Sequence, residues 1–327
     1  MSQPLVSIIM SAHNEEEHIS KAVKSILNQT YHDFELIVID DYSTDRSAEI
    51  CRSFSDQRIR VHVKSTEPPY LSASRNLGIR MARGQYTMFQ DADDTSHHRR
   101  LAEQLALAME KPGNTVVGTW VRRVQDGAHT IMRLPADHDN IVKGFSRVRN
   151  RTTMVPGTIL APTALLRTVQ YRQRFRYMQD WDHILRLHES RMALFANCTT
   201  PLYNYYIRPK GVIHRPQWLD HNIYVRHCQH RRRRGLPECA TLEQFLAHLE
   251  RHPVERCAWS ALRFLIRLNL WHKGWASQRA GKIDQQPAQH DAPTFTDEVS
   301  FANASRRAAC PIPGVQRHKH FNPGGKA

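Results

Sequence analysis

Acidic and polar side chains cluster directly after three apolar segments in the N-terminal third of the chain. The first segment, at residues 5–12, is a nearly continuous apolar run, as expected of a parallel strand buried on both faces. In an open parallel sheet, ligands bind outside the carboxyl ends of the strands, so the residues that follow them are candidates for chemistry. The clusters are His13-Asn14-Glu15, Asp40-Asp41-Tyr42-Ser43 and Asp91-Ala92-Asp93-Asp94. Together they predict an oxygen-rich site suited to Mg²⁺ or Mn²⁺ bridging phosphate oxygens.

Two interpretations compete for these aspartates, a metal site and helix capping. Aspartate commonly caps helices, and each apolar segment is followed by a helical pattern. The metal interpretation is favoured for Asp91 and Asp93, because two carboxylates held close at one strand end repel each other unless a cation lies between them. The cap interpretation is favoured for Asp45, which stands just before a short helical pattern.

The glycine-rich loops that hold phosphates in many proteins are missing from the sequence. No GxGxxG motif follows the first apolar segment, and no GxxxxGK[ST] motif occurs. This argues against a dinucleotide-dependent enzyme and a P-loop ATPase. A bound diphosphate then needs a metal ion and a cationic side chain to neutralise it. Arg75, at the start of a predicted helix, is one such cation, although a plain surface arginine is nearly as consistent with its position.

Strand and helix patterns alternate through residues 5–110. Strands are predicted at 5–12, 34–39, 58–63 and 85–90, and helices at 15–29, from the Ser43-Thr44-Asp45 cap to about 54, at 71–82 and at 97–110. The first of these helices would carry three acids in its first turn. Such alternation indicates a parallel sheet with right-handed crossovers. The predicted fold is therefore α/β, with a Rossmann-like, mostly parallel sheet flanked by helices.

The pattern is looser after residue 114. Strands are predicted at 115–124, 130–134, 158–161, 191–196 and 202–207, with a helix at 181–190. Beyond Arg208 the chain becomes helical and basic. Residues 254–278 mix tryptophans with arginines, and packing on the α/β domain is favoured over a peripheral membrane helix. Residues 281–327 are rich in Pro, Gln, Asn and Gly without periodicity, which predicts disorder.

The region from Val6 to Asp94 resembles the donor-binding half of family 2 glycosyltransferases with the GT-A fold. The resemblance is carried by Asn14-Glu15-Glu16 after the first strand, the segment Ser25–Leu36, the run Asp40–Asp45, the segment Ala73–Ile79 and the aspartates at Asp91. It implies a catalytic domain at 1–208, with a donor half at 1–110 and an acceptor half at 111–208. A basic helical C-terminal extension at 209–280 and the tail would follow.

The resemblance also implies roles for individual residues of the donor half. Asn14 and Glu15 would lie at the donor site, Asp40 or Asp41 would contact the nucleobase or ribose, and Arg75 the base or diphosphate. Asp93, helped by Asp91 or Asp94, would hold the Mg²⁺ or Mn²⁺ ion on the diphosphate. Two residues depart from the family pattern: Tyr42 stands where glycine is usual, and Gln90 where an aliphatic residue normally ends the strand.

A second motif, Gln179-Asp180-Trp181-Asp182, is similar to the family's Glu-Asp-Trp-Asp segment. There a carboxylate at a helix start deprotonates the acceptor hydroxyl, which attacks the anomeric carbon with inversion. Because Gln179 replaces the usual glutamate, Asp180 is the favoured base and Asp182 the second choice. Simple helix capping is the competing explanation. The family's polymerising synthases carry membrane spans and a QxxRW motif after the base, and the lack of both predicts transfer of a single sugar.

The expected partners are a nucleoside-diphosphate sugar, with a UDP-sugar favoured, and a cell-surface polysaccharide or lipid-linked glycan precursor as acceptor. The formal net charge of +15 allows a peripheral contact with an anionic membrane, or simply a solvated basic face. A nucleic-acid-binding protein and a catalytically inactive scaffold are the alternatives. No nucleic-acid motif with recognisable spacing supports the first, so no nucleic acid is expected.

Composition sets further limits on the class of protein. No window approaches the roughly 18 apolar residues of a membrane span, and the N-terminal residues lack the basic region of a secretory signal. A cytoplasmic protein is therefore expected, with the inner face of the membrane as the alternative site. The six cysteines show neither a CxxC pair nor zinc-ligand spacing, which favours free thiols.

Overall fold

The computed structural model describes residues 4–145, 152–208, 216–262 and 264. Within them, one nine-stranded sheet is flanked by helices. The strands are β1 Val6–Ala12, β2 Phe34–Asp40, β3 Ile59–Val63, β4 Tyr86–Asp91, β5 Thr95–Ser96, β6 Thr115–Gln125, β7 Ala128–Met132, β8 Leu160–Pro162 and β9 Leu194–Tyr206. The helices are α1 Ile19–Leu27, α2 Ser47–Arg52, α3 Leu71–Met81, α4 Arg100–Glu110, α5 His138–Phe145, α6 Thr163–Thr168, α7 Gln179–Glu189, α8 Pro216–Arg233 and α9 Leu242–Arg251.

The first four strands form the predicted parallel sheet. Strand order along the sheet is β3-β2-β1-β4-β8-β6-β9-β5, and β3, β2, β1 and β4 are mutually parallel. Ala12 of β1 pairs with Asp40 of β2, and Ser11 pairs with Asp91 of β4. This register aligns the carboxyl ends of three strands, so the three acidic clusters lie along one edge as predicted.

The second half of the sheet is mixed rather than parallel. β8 is antiparallel to both β4 and β6, β7 is antiparallel to β6, and β9 is parallel to β6. Two closing strands were predicted, but a single strand, β9, covers both. Its register with β6 shifts around Trp120, and this irregularity lies where the sequence pattern breaks.

The first helix begins later than its sequence pattern predicts. α1 starts at Ile19, so Glu15, Glu16 and Glu17 precede the helix instead of occupying its first turn. Main-chain groups of these residues are held by the next loop: the Glu15 amide donates to Ser47 Oγ and the Glu16 amide to Asp45 Oδ2. Tertiary hydrogen bonds therefore replace the expected helical turn.

The C-terminal helices pack on the α/β domain. Buried residues of α8 and α9 share one apolar cluster with residues of β4 and α7, including Phe89, Trp181, Tyr224 and Phe245. In the helical segment 253–262, Trp259 packs against this cluster, whereas Val254 is 84% exposed. This confirms packing for the described part of the 254–278 stripe. Its remainder and the predicted tail at 281–327 lie outside the described residues.

No helix in the described ranges is long and apolar enough to cross a bilayer.

Candidate active site

The end of β2 supplies two aspartates with different surroundings. Asp40 is buried, and its Oδ2 accepts a hydrogen bond from the Ser43 amide at 3.3 Å. Its Oδ1 has no hydrogen-bond partner among the described residues. Asp41 instead pairs with buried Lys64, with Nζ 2.6 Å from Oδ1. An unpaired buried carboxylate oxygen is costly without a partner, so Asp40 is the better placed of the two to receive a donor N–H or O–H group of a ligand.

The loops after β1 and β2 hold each other in place. The side-chain Oδ1 of Asn14 accepts a hydrogen bond from the main-chain amide of Thr44 at 2.8 Å. The main-chain amide of Asn14 donates to Ser43 Oγ. Asp45 Oδ1 accepts a hydrogen bond from the Ser47 amide at 3.0 Å, but Asp45 is not the predicted cap, because the residue directly before α2 is Arg46 and its side chain makes no capping hydrogen bond. Asn14 therefore braces the loops in this structure, and its predicted contact with a donor remains a prediction.

Tyr42 explains one departure from the family pattern. Its φ is +58°, in the left-handed region where glycine is favoured. Its hydroxyl donates to the Glu67 carbonyl at 2.7 Å, which ties it to the loop after β3. The tyrosine thus takes up the backbone conformation that glycine would allow, and its side chain is anchored on that loop.

The four-residue turn after β4, Asp91–Asp94, places its carboxylates in different environments. Asp91 and Asp93 have partly exposed side chains, each 33% accessible. Asp94 is 1% exposed, and its Oδ1 accepts a hydrogen bond from the Tyr206 amide at 2.9 Å. Burial and the nearby charges of Asp93 and Asp91 raise its pKa well above the usual value. Asp94 is therefore less accessible to a cation than Asp91 or Asp93, and its part as a helping metal ligand remains a prediction.

Asp93 lies where negative charge accumulates. Burial, followed by the charge of Asp91, raises its pKa to about 6, and Arg208 opposes that rise. Arg208 lies 3.6 Å from Asp93 Oδ2 and 3.0 Å from Glu15 Oε2. Glu15 is thus held by an arginine at this edge, and its predicted donor contact stays untested. A cation at Asp93 would offset the part of this pKa rise that comes from the charge of Asp91.

A divalent cation fits the chemistry of this turn. In the described part of the chain, no group of three or more His, Cys, Asp or Glu side chains is placed to enclose a metal. Mg²⁺ commonly uses one or two carboxylates and completes its shell with water and substrate phosphates. Asp93, with Asp91, offers such an oxygen pair on a partly exposed turn, so the residues suit a cation that arrives with a diphosphate.

A single guanidinium joins this turn to the predicted base. Arg75 of α3 donates Nη1 to Asp180 Oδ1, and its Nη2 lies 3.0 Å from Asp91 Oδ1. Arg75 is 3% exposed, and its guanidinium lies near the rings of Phe89 and Tyr171, 5.5 and 5.4 Å from their centroids. Arg75 was predicted to contact the base or diphosphate of a donor. In this structure its guanidinium instead connects two carboxylates.

The start of α7 separates Asp180 from Asp182. Met178, which precedes the helix, has a φ of +61° and turns the chain into the first helical residues. Asp180 remains 25% accessible, as a base that meets an acceptor must be. Asp182 is completely buried, where it pairs with Arg172 and with Arg186 at 2.9 Å. Burial opposes ionisation of Asp182, but these arginines outweigh it and lower its pKa. These contacts favour Asp180 over Asp182, whose role as the second candidate base remains a prediction.

The ion pairs around Asp182 include Arg232, one of the four arginines at 231–234. Arg232 Nε lies 2.7 Å from Glu189 Oε2, and its Nη1 lies 3.2 Å from Glu238. Glu238 also binds Arg172 and Arg174. Some of the arginines that suggest an anion-binding surface therefore form ion pairs within the fold instead.

Three residues that contact the acidic edge were not predicted from the sequence. They are Lys64, just after β3, Tyr203, within β9, and Arg208, just after β9. Lys64 follows the third predicted strand directly, so its position at a strand end was an available signal. Arg208 and Tyr203 come from more than 100 residues away, where no local motif marks them.

The family model for glycosyl transferase family 2 matches residues 7–171. An uncharacterized glycosyltransferase of Haemophilus influenzae is 40% identical over 113 residues, which cover 34% of this chain and 44% of that protein. The putative glycosyltransferase EpsE of Bacillus subtilis is 33% identical over 198 residues, which cover 58% of this chain and 68% of EpsE.

Among solved structures, residues 1–349 of TarS from S. aureus in complex with UDP-GlcNAc superpose with a TM-score of 0.55 at 18% identity. The superposition covers 67% of this chain and 65% of that chain. At this identity the likeness concerns the fold, which is the GT-A fold predicted from sequence. The chain spans 44% of the length of the Haemophilus relative and 65% of the TarS chain. The family match over half of the chain shows that the protein belongs to glycosyl transferase family 2.

Proposed function

We propose that the protein transfers one sugar, with inversion, from a nucleoside-diphosphate sugar to a hydroxyl group of a polysaccharide or lipid-linked glycan precursor. A UDP-sugar is the favoured donor, since the TarS structure with the same fold is a complex with UDP-GlcNAc. The observation that carries the proposal is the link through Arg75, because it brings the candidate base Asp180 to the edge where Asp91 and Asp93 would meet a diphosphate.

The donor would lie along the carboxyl edge of β1, β2 and β4. Asp40 would accept a hydrogen bond from the nucleobase or ribose through Oδ1, which has no partner among the described residues. Asp93 and Asp91 would hold Mg²⁺ or Mn²⁺, which when bound neutralises charge on the departing diphosphate. Asp41 is already paired with Lys64, so its contribution to donor binding is the weaker proposal.

The acceptor would react next to Asp180. Arg75 fixes one oxygen of the Asp180 carboxylate, which orients the other to take the proton of the acceptor hydroxyl. The acceptor oxygen forms its bond to the anomeric carbon as the bond to the diphosphate breaks, and the diphosphate leaves with that electron pair. One displacement of this kind inverts the anomeric centre and needs no covalent intermediate.

The first test is a thermal-shift screen of UDP-, GDP-, CMP- and dTDP-sugars with and without Mn²⁺. A ligand that binds only the native state raises the unfolding temperature by mass action. We expect a UDP-sugar to give the largest rise, and only with the metal. No response to any nucleotide sugar would favour an inactive scaffold, and tight metal-independent binding to DNA would favour a nucleic-acid-binding protein.

The second test separates donor binding from transfer. Asp180→Asn should retain the donor-dependent rise in unfolding temperature and lose transfer to an acceptor by about 100-fold or more, the usual scale for a general base. Asp182→Asn serves as the comparison variant, because we expect this change to lower the stability of the fold. Unchanged transfer by the Asp180→Asn protein would move the base elsewhere.

A further inference from the structure

A buried arginine lies directly behind the Asp91–Asp94 turn. Arg100, the first residue of α4, is completely inaccessible to solvent. Its guanidinium donates five hydrogen bonds of 2.8–3.1 Å, all to neutral acceptors. These acceptors are the side chains of Gln90, Ser96 and Gln104 and the carbonyls of Phe89 and Gly157. The side chain thus satisfies its donors without direct contact with a carboxylate.

The same arginine contacts Gln90 and Tyr203, two of the side chains that hold the turn. Gln90, which receives an Arg100 hydrogen bond, donates its own amide to the carbonyls of Asp91 and Asp94 at 2.9 and 3.0 Å. The Arg100 guanidinium also lies 4.9 Å from the centre of the Tyr203 ring. The Tyr203 hydroxyl lies 3.3 Å from Asp91 Oδ2 and 3.4 Å from the Asp91 amide. Arg100 therefore supports Asp91 through both its main chain and its carboxylate.

Gly157 also lies directly against the Asp91 carboxylate and the Tyr203 hydroxyl. A Cβ atom at this position would lie 2.3 Å from Asp91 Oδ2 and 2.9 Å from the Tyr203 hydroxyl. Any residue larger than glycine at position 157 would therefore collide with the Asp91 carboxylate. Since the Gly157 carbonyl also accepts from Arg100, the glycine belongs to the same cluster.

A buried positive charge suits this position. The carboxylates of Asp91 and Asp94 both act on Arg100 electrostatically. Burial lowers the pKa of Arg100 to about 10, so the group remains protonated at neutral pH. Its charge therefore offsets the crowding of carboxylates in the turn without closing the exposed face on which a ligand would bind.

We propose that Gln90, Arg100, Tyr203 and Gly157 are positioning residues that fix the Asp91 carboxylate before a nucleoside diphosphate and its cation bind. A preorganised site loses less conformational freedom on binding, so the benefit appears in donor affinity. The proposal rests on the proposed function. It also gives Gln90, the second departure from the family pattern, a defined role as the link between Arg100 and the turn.

The test uses two variants that keep the buried arginine. Tyr203→Phe retains the ring over Arg100 and removes only the hydroxyl beside Asp91. Gly157→Ala adds one methyl group against the Asp91 carboxylate. The matched controls are Tyr224→Phe, which removes a buried tyrosine hydrogen bond to the Cys239 carbonyl, and Gly144→Ala, whose Cβ would lie 2.2 Å from Thr153 Cγ2. Both controls lie outside the donor edge.

Calorimetric titration of UDP in the presence of MnCl₂ measures the effect, at a temperature where each variant is fully folded. We expect Tyr203→Phe and Gly157→Ala to weaken UDP binding roughly tenfold, the scale of one hydrogen bond to a charged group. The controls should bind as the wild type does. In transfer assays the two test variants should raise KM for the donor and leave kcat within about twofold, because the displacement itself is unchanged.

Equal UDP affinity in test and control variants would overturn the proposal, as would a loss confined to thermal stability. Failure of the wild type to bind UDP with MnCl₂ is a different result, because it would contradict the proposed function itself.

Discussion

Asp93 and Asp94 are neighbours, yet their surroundings give them different chemistry. Asp94 points into the protein and accepts a main-chain hydrogen bond from Tyr206. Asp93 remains partly exposed beside Arg208, and burial and the Asp91 charge raise its pKa to about 6. Two carboxylates in one motif therefore differ in how accessible they are to a ligand.

The raised pKa of Asp93 predicts how donor binding depends on pH. A cation binds the ionised carboxylate, so metal-dependent UDP affinity should fall as the pH drops through about 6. The dependence should be much weaker in Asp93→Asn, which cannot ionise.

The free energy of unfolding should change in the opposite direction, because a carboxyl group with a raised native pKa favours folding at low pH and disfavours it as the pH rises from about 4 to 6. Calorimetric UDP titrations with MnCl₂ from pH 5 to 8 measure the first effect, and an identical pH profile in both proteins would contradict the assignment.

Arg75 gives a second prediction at the scale of one residue. Arg75→Lys keeps the charge, but a single ammonium group does not reproduce the fork that reaches both Asp180 and Asp91. We expect kcat to fall roughly 10- to 100-fold as the base loses its orientation. Arg83→Lys, a change at an arginine outside this link, is the control, and steady-state kinetics of both variants at saturating donor provide the measurement. A normal kcat in Arg75→Lys would show that the link is dispensable.

At the scale of elements, buried ion pairs anchor α7 in addition to its apolar side chains Trp181 and Ile184 in the core. Asp182 is buried among Arg172 and Arg186, and Glu238, which lies beyond α8, also pairs with Arg172. The C-terminal helices are therefore joined electrostatically to the helix that carries the candidate base. Apolar contacts of Tyr224 and Phe245 add to this connection.

Removing the Asp182 charge should destabilise the fold. Asp182→Asn leaves arginines without their buried partner, which typically costs about 3 kcal/mol or more in the free energy of unfolding. Because the pKa of Asp182 is lowered in the fold, its contribution is present near neutral pH and is lost on strong acidification. Urea unfolding at pH 7 measures the loss. Glu49→Gln, at an exposed pair with Arg46, should leave stability unchanged, and equal behaviour of the two variants would contradict this account.

The order of the elements could be predicted from sequence, whereas contacts between distant elements could not. Apolar runs and helical spacing identified β1 to β4 within a few residues, since each depends on local pattern. The start of α1 was missed because Ser47 and Asp45 hold the preceding residues from another loop. The buried contacts of Asp94 and Asp182 depend in the same way on Tyr206 and Arg172, which no nearby spacing reveals.

At the scale of the whole molecule, one sheet edge gathers the candidate donor site and the C-terminal helices support the base. The net charge of +15 is partly used by internal ion pairs such as those of Arg232, so it is weak support for an anionic partner. Family membership identifies the class of reaction, and the acidic edge indicates where the donor would bind.

The most direct measurement of the central claim is calorimetric titration of UDP into the wild type, Asp93→Ala and Asp33→Ala, each with and without MnCl₂. Asp33 precedes β2 and therefore lies at the amino end of the strand, away from the acidic edge. The account predicts manganese-dependent binding in the wild type and in Asp33→Ala, and loss of the manganese-dependent part in Asp93→Ala. Manganese-dependent binding of equal strength in all three proteins would contradict it.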